Sequence, residues 1–332
     1  MSHTTRTRRT RNRSLALAAG AAVLALTLTA CGSDAMGGMD HGTAGAAGTA
    51  TGTADTASGT PAGGHQGHRM PGADAATATA TAAPGIAATA ADAPGLASER
   101  NGYRLTSATE SLPAGAPTEY RFTVTGPDGR PLTAFEPDQT KRMHFYAIRS
   151  DLTGFQHLHP EMADDGTWTA PLAALTAGSW RLFASFVPDG GPGKGTGLVL
   201  SRTVTVPGEG AAAAAELPAA TGTATVDGYT VAVEGTPVAG QAGELKVTVS
   251  KDGRPVTDLQ PYLETFAHLT AFRSGDQAFA HLHPEAKAAA GATGGPTLPF
   301  HAELPAGGDW RLFLQFQTGG RLHTVGLTLK VG

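Results

Sequence analysis

One cysteine, Cys31, stands in the whole 332-residue chain, so no internal disulfide can form even in an oxidising compartment. With that residue committed to the N-terminal processing described below, a blue-copper electron-transfer centre is excluded too, because it requires a cysteine thiolate. Helical periodicity is missing throughout, and no Gly-rich loop leads from a strand into a helix to cradle a phosphate. No Ser/His/Asp or Cys/His arrangement offers an activated nucleophile. From Gly32 to about Ser98 large apolar residues are almost absent, leaving Ala, Thr, Gly and Pro, a composition that cannot offset the entropy of ordering.

What is present begins at the N-terminus. Arg6, Arg8, Arg9, Arg11 and Arg13 precede an apolar stretch from Leu15 to Ala30, which closes on Leu28-Thr29-Ala30-Cys31. This pattern predicts a signal peptide over residues 1–30, too short for the ~20 residues that span a bilayer. The segment resembles bacterial lipoproteins, in which the cysteine is diacylated and opens the mature chain. The resemblance implies lipidation at Cys31 and anchoring to the extracytoplasmic face of the cell membrane. Arg8-Arg9 hints at twin-arginine export, and the Sec and Tat routes both stay open. Cleavage would remove five arginines and no acid, taking the formal charge from −4 to −9, which argues against a nucleic-acid partner.

Residues 31–99 are expected to form a disordered tether that holds the folded part away from the membrane. It carries two clusters, Met36, Met39 and His41, then His65, His68 and Met70, whose thioethers and imidazoles suit copper. The first is similar to the Met/His-rich segments of bacterial copper-resistance proteins, so auxiliary metal capture is one expectation and simple drift in a linker the other.

A tandem duplication follows, with units at 100–206 and 223–332 and an Ala-rich linker over 207–222. Gly102-Tyr103 matches Gly228-Tyr229, Asp128-Gly129-Arg130-Pro131 matches Asp252-Gly253-Arg254-Pro255, and His144 matches His268. His157-Leu158-His159-Pro160-Glu161 recurs as His281-Leu282-His283-Pro284-Glu285, and Trp180-Arg181-Leu182-Phe183 as Trp310-Arg311-Leu312-Phe313. Glu119 to Thr125 and Glu244 to Ser250 alternate apolar and polar residues as half-buried strands do, and Asp-Gly turns close them. Trp180, Leu182, Ala184 and Phe186 share one strand face, as do Trp310, Leu312, Leu314 and Phe316, which marks both tryptophans as core. The pattern predicts an all-β chain of two immunoglobulin-like β-sandwiches, with a small barrel as the competing architecture. Arg149-Ser150 and Arg273-Ser274 fall at hairpin tips, where solvated turn residues are expected.

The repeated His-x-His is the chemical signal. Residues i and i+2 of a strand face the same side about 6.5–7 Å apart, so two imidazoles can approach one ion. If the hairpin register sets His144 against His159, a third joins them, and unit two offers His268, His281 and His283 alike. Glu161 and Glu285 could add a carboxylate or orient a ligand. Unit two also has His301, opposite Pro171 of unit one, and His323, near the place of Lys194, which makes it the unit where bound metal is expected first. The reading is one ion per unit, copper or a similar divalent ion such as zinc, with affinity falling as protons compete near pH ~6.5. Against it stands the structural alternative of an exposed strand face with Leu158 or Leu282 turned inward.

Lipobox, tether, His, His-x-His-Pro and a terminal Trp-Arg-Leu-Phe strand together resemble the secreted heavy-metal-associated lipoproteins of bacteria. The resemblance implies membrane-anchored metal capture or buffering and little mechanism. Two other classes are carried beside it. One is an immunoglobulin-like module of the envelope that binds another protein. The other is a cupin-like metal-dependent enzyme, suggested by Gly275 separated by five residues from His281-Leu282-His283, although Glu285 lies too close for that motif.

Overall fold

The computed structural model describes residues 95–332. Cys31, the signal segment and Met36, Met39, His41, His65, His68 and Met70 lie outside the described residues. Among the described residues no helix is long and apolar enough to cross a membrane.

Ten strands make the first sandwich: β1 (Glu99–Arg100), β2 (Tyr103–Thr106), β3 (Thr118–Thr125), β4 (Phe135–Glu136), β5 (His144–Arg149), β6 (Gln156–Leu158), β7 (Glu161–Met162), β8 (Thr167–Leu172), β9 (Gly178–Pro188) and β10 (Leu198–Val206). One sheet runs β1-β2-β3-β8-β7 and the other β10-β9-β5-β6, with β4 along β9. That is the A-B-E-D against G-F-C order of an immunoglobulin sandwich, with β6 as an added strand beside β5. The second sandwich holds β11 (Thr223–Val226), β12 (Tyr229–Glu234), β13 (Ala242–Lys251), β14 (Arg254–Pro255), β15 (Ala267–Arg273), β16 (Phe279–Pro284), β17 (Thr297–Glu303), β18 (Gly308–Thr318) and β19 (Arg321–Val331). Its strand order is β11-β12-β13-β17-β16-β15-β18-β19, with β14 on β13. Here β16 serves both layers, pairing Leu282 with Leu269 of β15 and then His283 with His301 of β17.

Turn chemistry sets these registers. Asn101-Gly102, Asp227-Gly228 and Asp252-Gly253 all have positive φ at both positions, as the tight hairpin turns that match strand twist require. The repeated Gly-Tyr pairs and Asp252-Gly253 belong to those turns, whereas at Asp128-Gly129 only the glycine has positive φ. The alternation places Tyr120, Phe122, Phe145, Trp168, Trp180, Leu182 and Phe186 inside the first sandwich. Val247, Leu269, Phe300, Trp310, Leu312 and Phe316 fill the second. Burial of each such side chain contributes roughly 1.5–3 kcal/mol before entropy is charged against it.

A third apolar cluster belongs to neither interior. Tyr146, Ile148, Leu152, Phe183 and Val199 of the first sandwich meet Phe272, Phe279 and Phe313 of the second. These are the residues opposite in strand phase to the core residues: Tyr146 and Ile148 alternate with Phe145 and Ala147, and Phe313 alternates with Leu312 and Leu314. The outer face of the β10-β9-β5-β6 sheet therefore packs on the outer face of β15, β16 and β18. All six residues of β5 are buried as a result, which a free sandwich would not allow.

The linker is fastened to this assembly. Arg149, 8% exposed, donates to the carbonyls of Ala177, Gly210, Ala211 and Ala213 and pairs with Asp151. The solvated turn expected for Arg149 is thus replaced by a buried guanidinium, because the linker's carbonyls supply acceptors that no strand provides. Gly178 lies against the same guanidinium with φ +145°, where a Cβ would collide with Nε. Arg273, by contrast, pairs locally with Asp276 and stays partly exposed.

Candidate metal centre

The hairpin register decides where the histidines go. Phe145 pairs with Leu158 and Tyr146 with His157, so one further step sets His144 against His159, as the hairpin reading supposed. In unit two Leu269 pairs with Leu282 and Thr270 with His281, which sets His268 against His283. Leu158 and Leu282 turn to the sandwich interiors, and the His-x-His face turns outward. That outward face is the one on which the two sandwiches meet. His144 and His268 are fully buried there, and His157, His159, His281 and His283 are half-buried, so the face is not an exposed one.

The six imidazoles form one continuous cluster. Within unit one the ring centroids of His144, His157 and His159 lie 4.7–5.2 Å apart. Across the interface His157 stacks on His268 at 4.6 Å, and His144 lies 5.5 Å from His268 and 6.1 Å from His281. His268, His281 and His283 continue the row at 4.4 and 4.9 Å. The expectation of one separate ion per unit is not what this geometry offers. One ligand-bearing nitrogen each from His144, His157 and His268 lies within 4.8 Å of the other two, a trio drawn from both units.

Hydrogen bonds fix which nitrogen of each ring is free. His144 Nε2 donates to the carbonyl of Asp138 at 3.0 Å, so in the neutral ring Nδ1 carries a lone pair. His157 Nδ1 donates to Gln315 Oε1 at 2.6 Å, while the amide nitrogen of Gln315 donates to Thr324. His268 Nδ1 donates to Gln139 Oε1 at 2.8 Å. The atoms that carry the lone pairs are then His144 Nδ1, His157 Nε2 and His268 Nε2. The first two face each other at 3.0 Å. Two lone pairs at that distance repel until a proton or cation stands between them. His268 Nε2 accepts from the buried Tyr146 hydroxyl at 3.2 Å, and Tyr146 stacks on His157 at 4.5 Å.

Burial keeps these rings neutral. Desolvation pushes His157, His268 and His281 well below the usual imidazole value, and neighbouring histidines push the same way. His159 is lowered to about 4 by the same causes. His144 is lowered by burial, opposed in part by its bond to the Asp138 carbonyl and by the Asp138 carboxylate. Neutral imidazoles with oriented lone pairs are the form that binds metal.

The other expected ligands are placed as follows. His159 lies edge-on to His144 and His157, and its Nε2 is buried with no hydrogen-bond partner. His281 Nε2 faces the amide nitrogen of Gln139 at 3.5 Å, and His283 flanks His281. Glu161 and Glu285 are exposed: Glu161 lies on β7, in the sheet opposite to β5 and β6, and Glu285 follows β16 with its backbone N–H bonded to the Pro299 carbonyl. A cupin-like ligand set with its glutamate is therefore not formed, and the fold is a sandwich and not a barrel. His301 is exposed on β17. His323 is far from the cluster in role: it stands opposite Phe316 as Leu198 stands opposite Phe186, and bonds Asp227 at 2.7 Å and Thr318 at 3.0 Å. Its place is core-lining, so unit two has no richer site than unit one.

Two participants were absent from the sequence reading, Gln139 and Gln315. Gln139 sits in a turn closed by reciprocal bonds between Asp138 and Lys141, and it and Thr140 both have positive φ, 43° and 72°. That turn normally takes Asn-Gly, and non-glycine residues there store strain. No motif announces it. Gln315 leaves no trace either: it shares its strand face with Asp309, Arg311, Phe313 and Gln317, which reads as an ordinary polar face.

Fold and site together define a tandem immunoglobulin-like protein with a histidine cluster buried between its domains. A family model, the domain of unknown function DUF8832, matches residues 98–194 and again 224–332, and the chain belongs to that family. No curated protein sequence matches. Among solved structures, a conserved Escherichia coli adhesin, FdeC, aligns at 15% identity over 70% of this chain and 64% of its own, with a TM-score of 0.23. The chain thus spans somewhat under two thirds of that adhesin. A titin A168–A169 fragment aligns at 12% identity over 68% of this chain and 94% of its own, TM-score 0.18. The Ig1-2 module of the Drosophila receptor tyrosine phosphatase DLAR aligns at 8% over 69% and 98%, TM-score 0.20. Scores this low carry no argument, and the fold rests on the strand order given above.

Proposed function

We propose that the chain binds one transition-metal ion at a site shared by its two domains, and that it captures or buffers that ion outside the cytoplasmic membrane, held there by a lipid on Cys31. The observation that carries this reading is the facing pair of bare nitrogens, His144 Nδ1 and His157 Nε2, with His268 Nε2 as third corner. Imidazole donors suit copper, zinc and nickel. A metal–nitrogen bond of 2.0–2.1 Å would ask the 3.0 Å pair to open by roughly 0.4 Å, a rotamer-scale movement. Tyr146 would release His268 Nε2 as the ion enters.

The test is thermal unfolding of the full chain with and without metal, beside the double variant His157→Gln, His268→Gln. An ion present at 100 times its Kd should stabilise the wild type by about 2.7 kcal/mol and the variant by nothing comparable. Equal shifts in both, or none in either, would end the reading.

A second reading, a protein-binding module of the envelope, is supported by the fold itself, since tandem immunoglobulin-like sandwiches serve that role without any histidine cluster. Under it, the histidines would be an interface fitting alone, and metal would leave the melting curves unchanged.

A further inference from the structure

The donors around the shared site have one property in common: none carries charge. His144, His157 and His268 are neutral rings, their partners are the Asp138 carbonyl and the amides of Gln315 and Gln139, and Tyr146 caps the trio as a phenol. The Tyr146 hydroxyl donates to His268 Nε2 at 3.2 Å and so stands there as a neutral phenol. Glu161 and Glu285, the carboxylates that follow the two His-x-His-Pro segments, are exposed. The charged groups that bear on His144 are Asp138 and Lys141, of opposite sign. The walls are apolar: Phe279 lies 5.2 Å from the Tyr146 ring, and Phe183 lies 5.4 Å from Phe279.

In such surroundings the charge of the ion decides. The cost of moving an ion from water into a low-dielectric site grows as the square of its charge, so a divalent ion costs about four times what a monovalent ion of similar size does. Zinc sites built on three neutral histidines keep an open position for water, whose ionisation trims the net charge. Here the Tyr146 hydroxyl, 3.2 Å from His268 Nε2, stands beside the trio. A monovalent ion that accepts few ligands meets neither difficulty.

We infer that the shared site is built for monovalent copper, held by His144 Nδ1, His157 Nε2 and His268 Nε2 between the two domains. The inference rests on the metal-binding reading and narrows it from copper or a similar divalent ion to the cuprous state. Gln315 and Gln139 act as positioning residues. Each reaches across the interface to hold the tautomer of a histidine in the other domain, and as amides they do so without adding charge. A carboxylate in either place would orient the ring equally well and would compensate a divalent ion.

The experiment uses the full chain under anaerobic conditions, titrated with Cu(I) against a chromophoric chelator and separately with Zn(II) and Cu(II). The variant His157→Gln, His268→Gln is subtracted so that binding by the methionines and histidines of residues 31–99 cancels. The expected result is one additional Cu(I) equivalent in the wild type, bound at least 100-fold more tightly than Zn(II). In Gln315→Glu the ratio should move at least 10-fold toward Zn(II), a change that a purely structural glutamine would not produce. A site that prefers Zn(II) or Cu(II) in the wild type, or a ratio unmoved by Gln315→Glu, overturns the cuprous inference and leaves metal binding standing. Wild type and double variant binding every ion alike overturns both.

Discussion

Acidification should unfold this protein from its domain interface, and the size of the effect follows from the buried rings. His157, His268 and His281 are pushed well below the ordinary imidazole value of ~6.5 by burial, and His159 to about 4. In the unfolded chain they titrate near ~6.5, so at lower pH the unfolded state binds more protons than the folded one. The sign is then fixed: the stability these rings confer is present above pH ~6.5 and is lost as pH falls below it. A ring that stays neutral while folded forfeits about 1.4 kcal/mol between pH 7.5 and 5.5, and four such rings about 5 kcal/mol. That is a large part of the 5–15 kcal/mol typical of a folded domain. Urea unfolding followed by fluorescence reads it directly, since Trp168, Trp180 and Trp310 are each about 1% exposed or less. His157→Gln with His281→Gln should remove roughly half the pH dependence. A free energy of unfolding that changes by less than about 1 kcal/mol over this range would refute the claim that these imidazoles are buried and neutral.

Further outcomes are expected. Phe313→Ala, which empties part of the apolar seam between the sandwiches, should cost roughly 3–5 kcal/mol, less if the domains part before either unfolds, and should weaken metal binding in the same titration. Thr140→Gly relieves a β-branched residue at φ 72° and should raise the urea midpoint by up to about 1 kcal/mol of stability with the tautomer-holding bond of Gln139 intact. His323→Ala should leave metal binding unchanged, because that ring is engaged with Asp227 and Thr318 on the far face of β19. Arg149→Ala should release the linker carbonyls of residues 210–213, read as faster proteolytic cleavage between the domains.

Much of this was legible in the sequence, and the limits have physical reasons. The shift of 124 that relates Asp128 to Asp252, His144 to His268 and His157 to His281, the Asp-Gly turns and the period-two alternation are local, and they specify two sandwiches with Trp180 and Trp310 inside. The His144, His157 and His159 face follows from strand phase and hairpin register alone. What local pattern could not supply was the partner of that face. Tyr146, Ile148, Phe183, Phe272, Phe279 and Phe313 were the available signal: they are apolar on the strand phase opposite to the core, which is the pattern of a sheet covered on both sides. Read that way, two outward His-x-His faces imply one shared cluster and not two separate sites. The glutamines were harder still, since Gln139 acts from a strained turn with no motif and its counterpart in unit two is Leu263. His323 misled because a histidine in a final hairpin reads as a rim residue, whereas its cross-strand partner Phe316 places it beside the core.

The most direct measurement is the number of ions bound by the full chain and by variants that disable one unit at a time. Equilibrium dialysis with elemental analysis would compare the wild type with His144→Phe, His157→Gln in unit one and with His268→Phe in unit two. A shared site predicts that either change removes the same single tightly bound ion. If each variant instead kept an ion of its own, or if neither change altered the count, the inter-domain site would be contradicted.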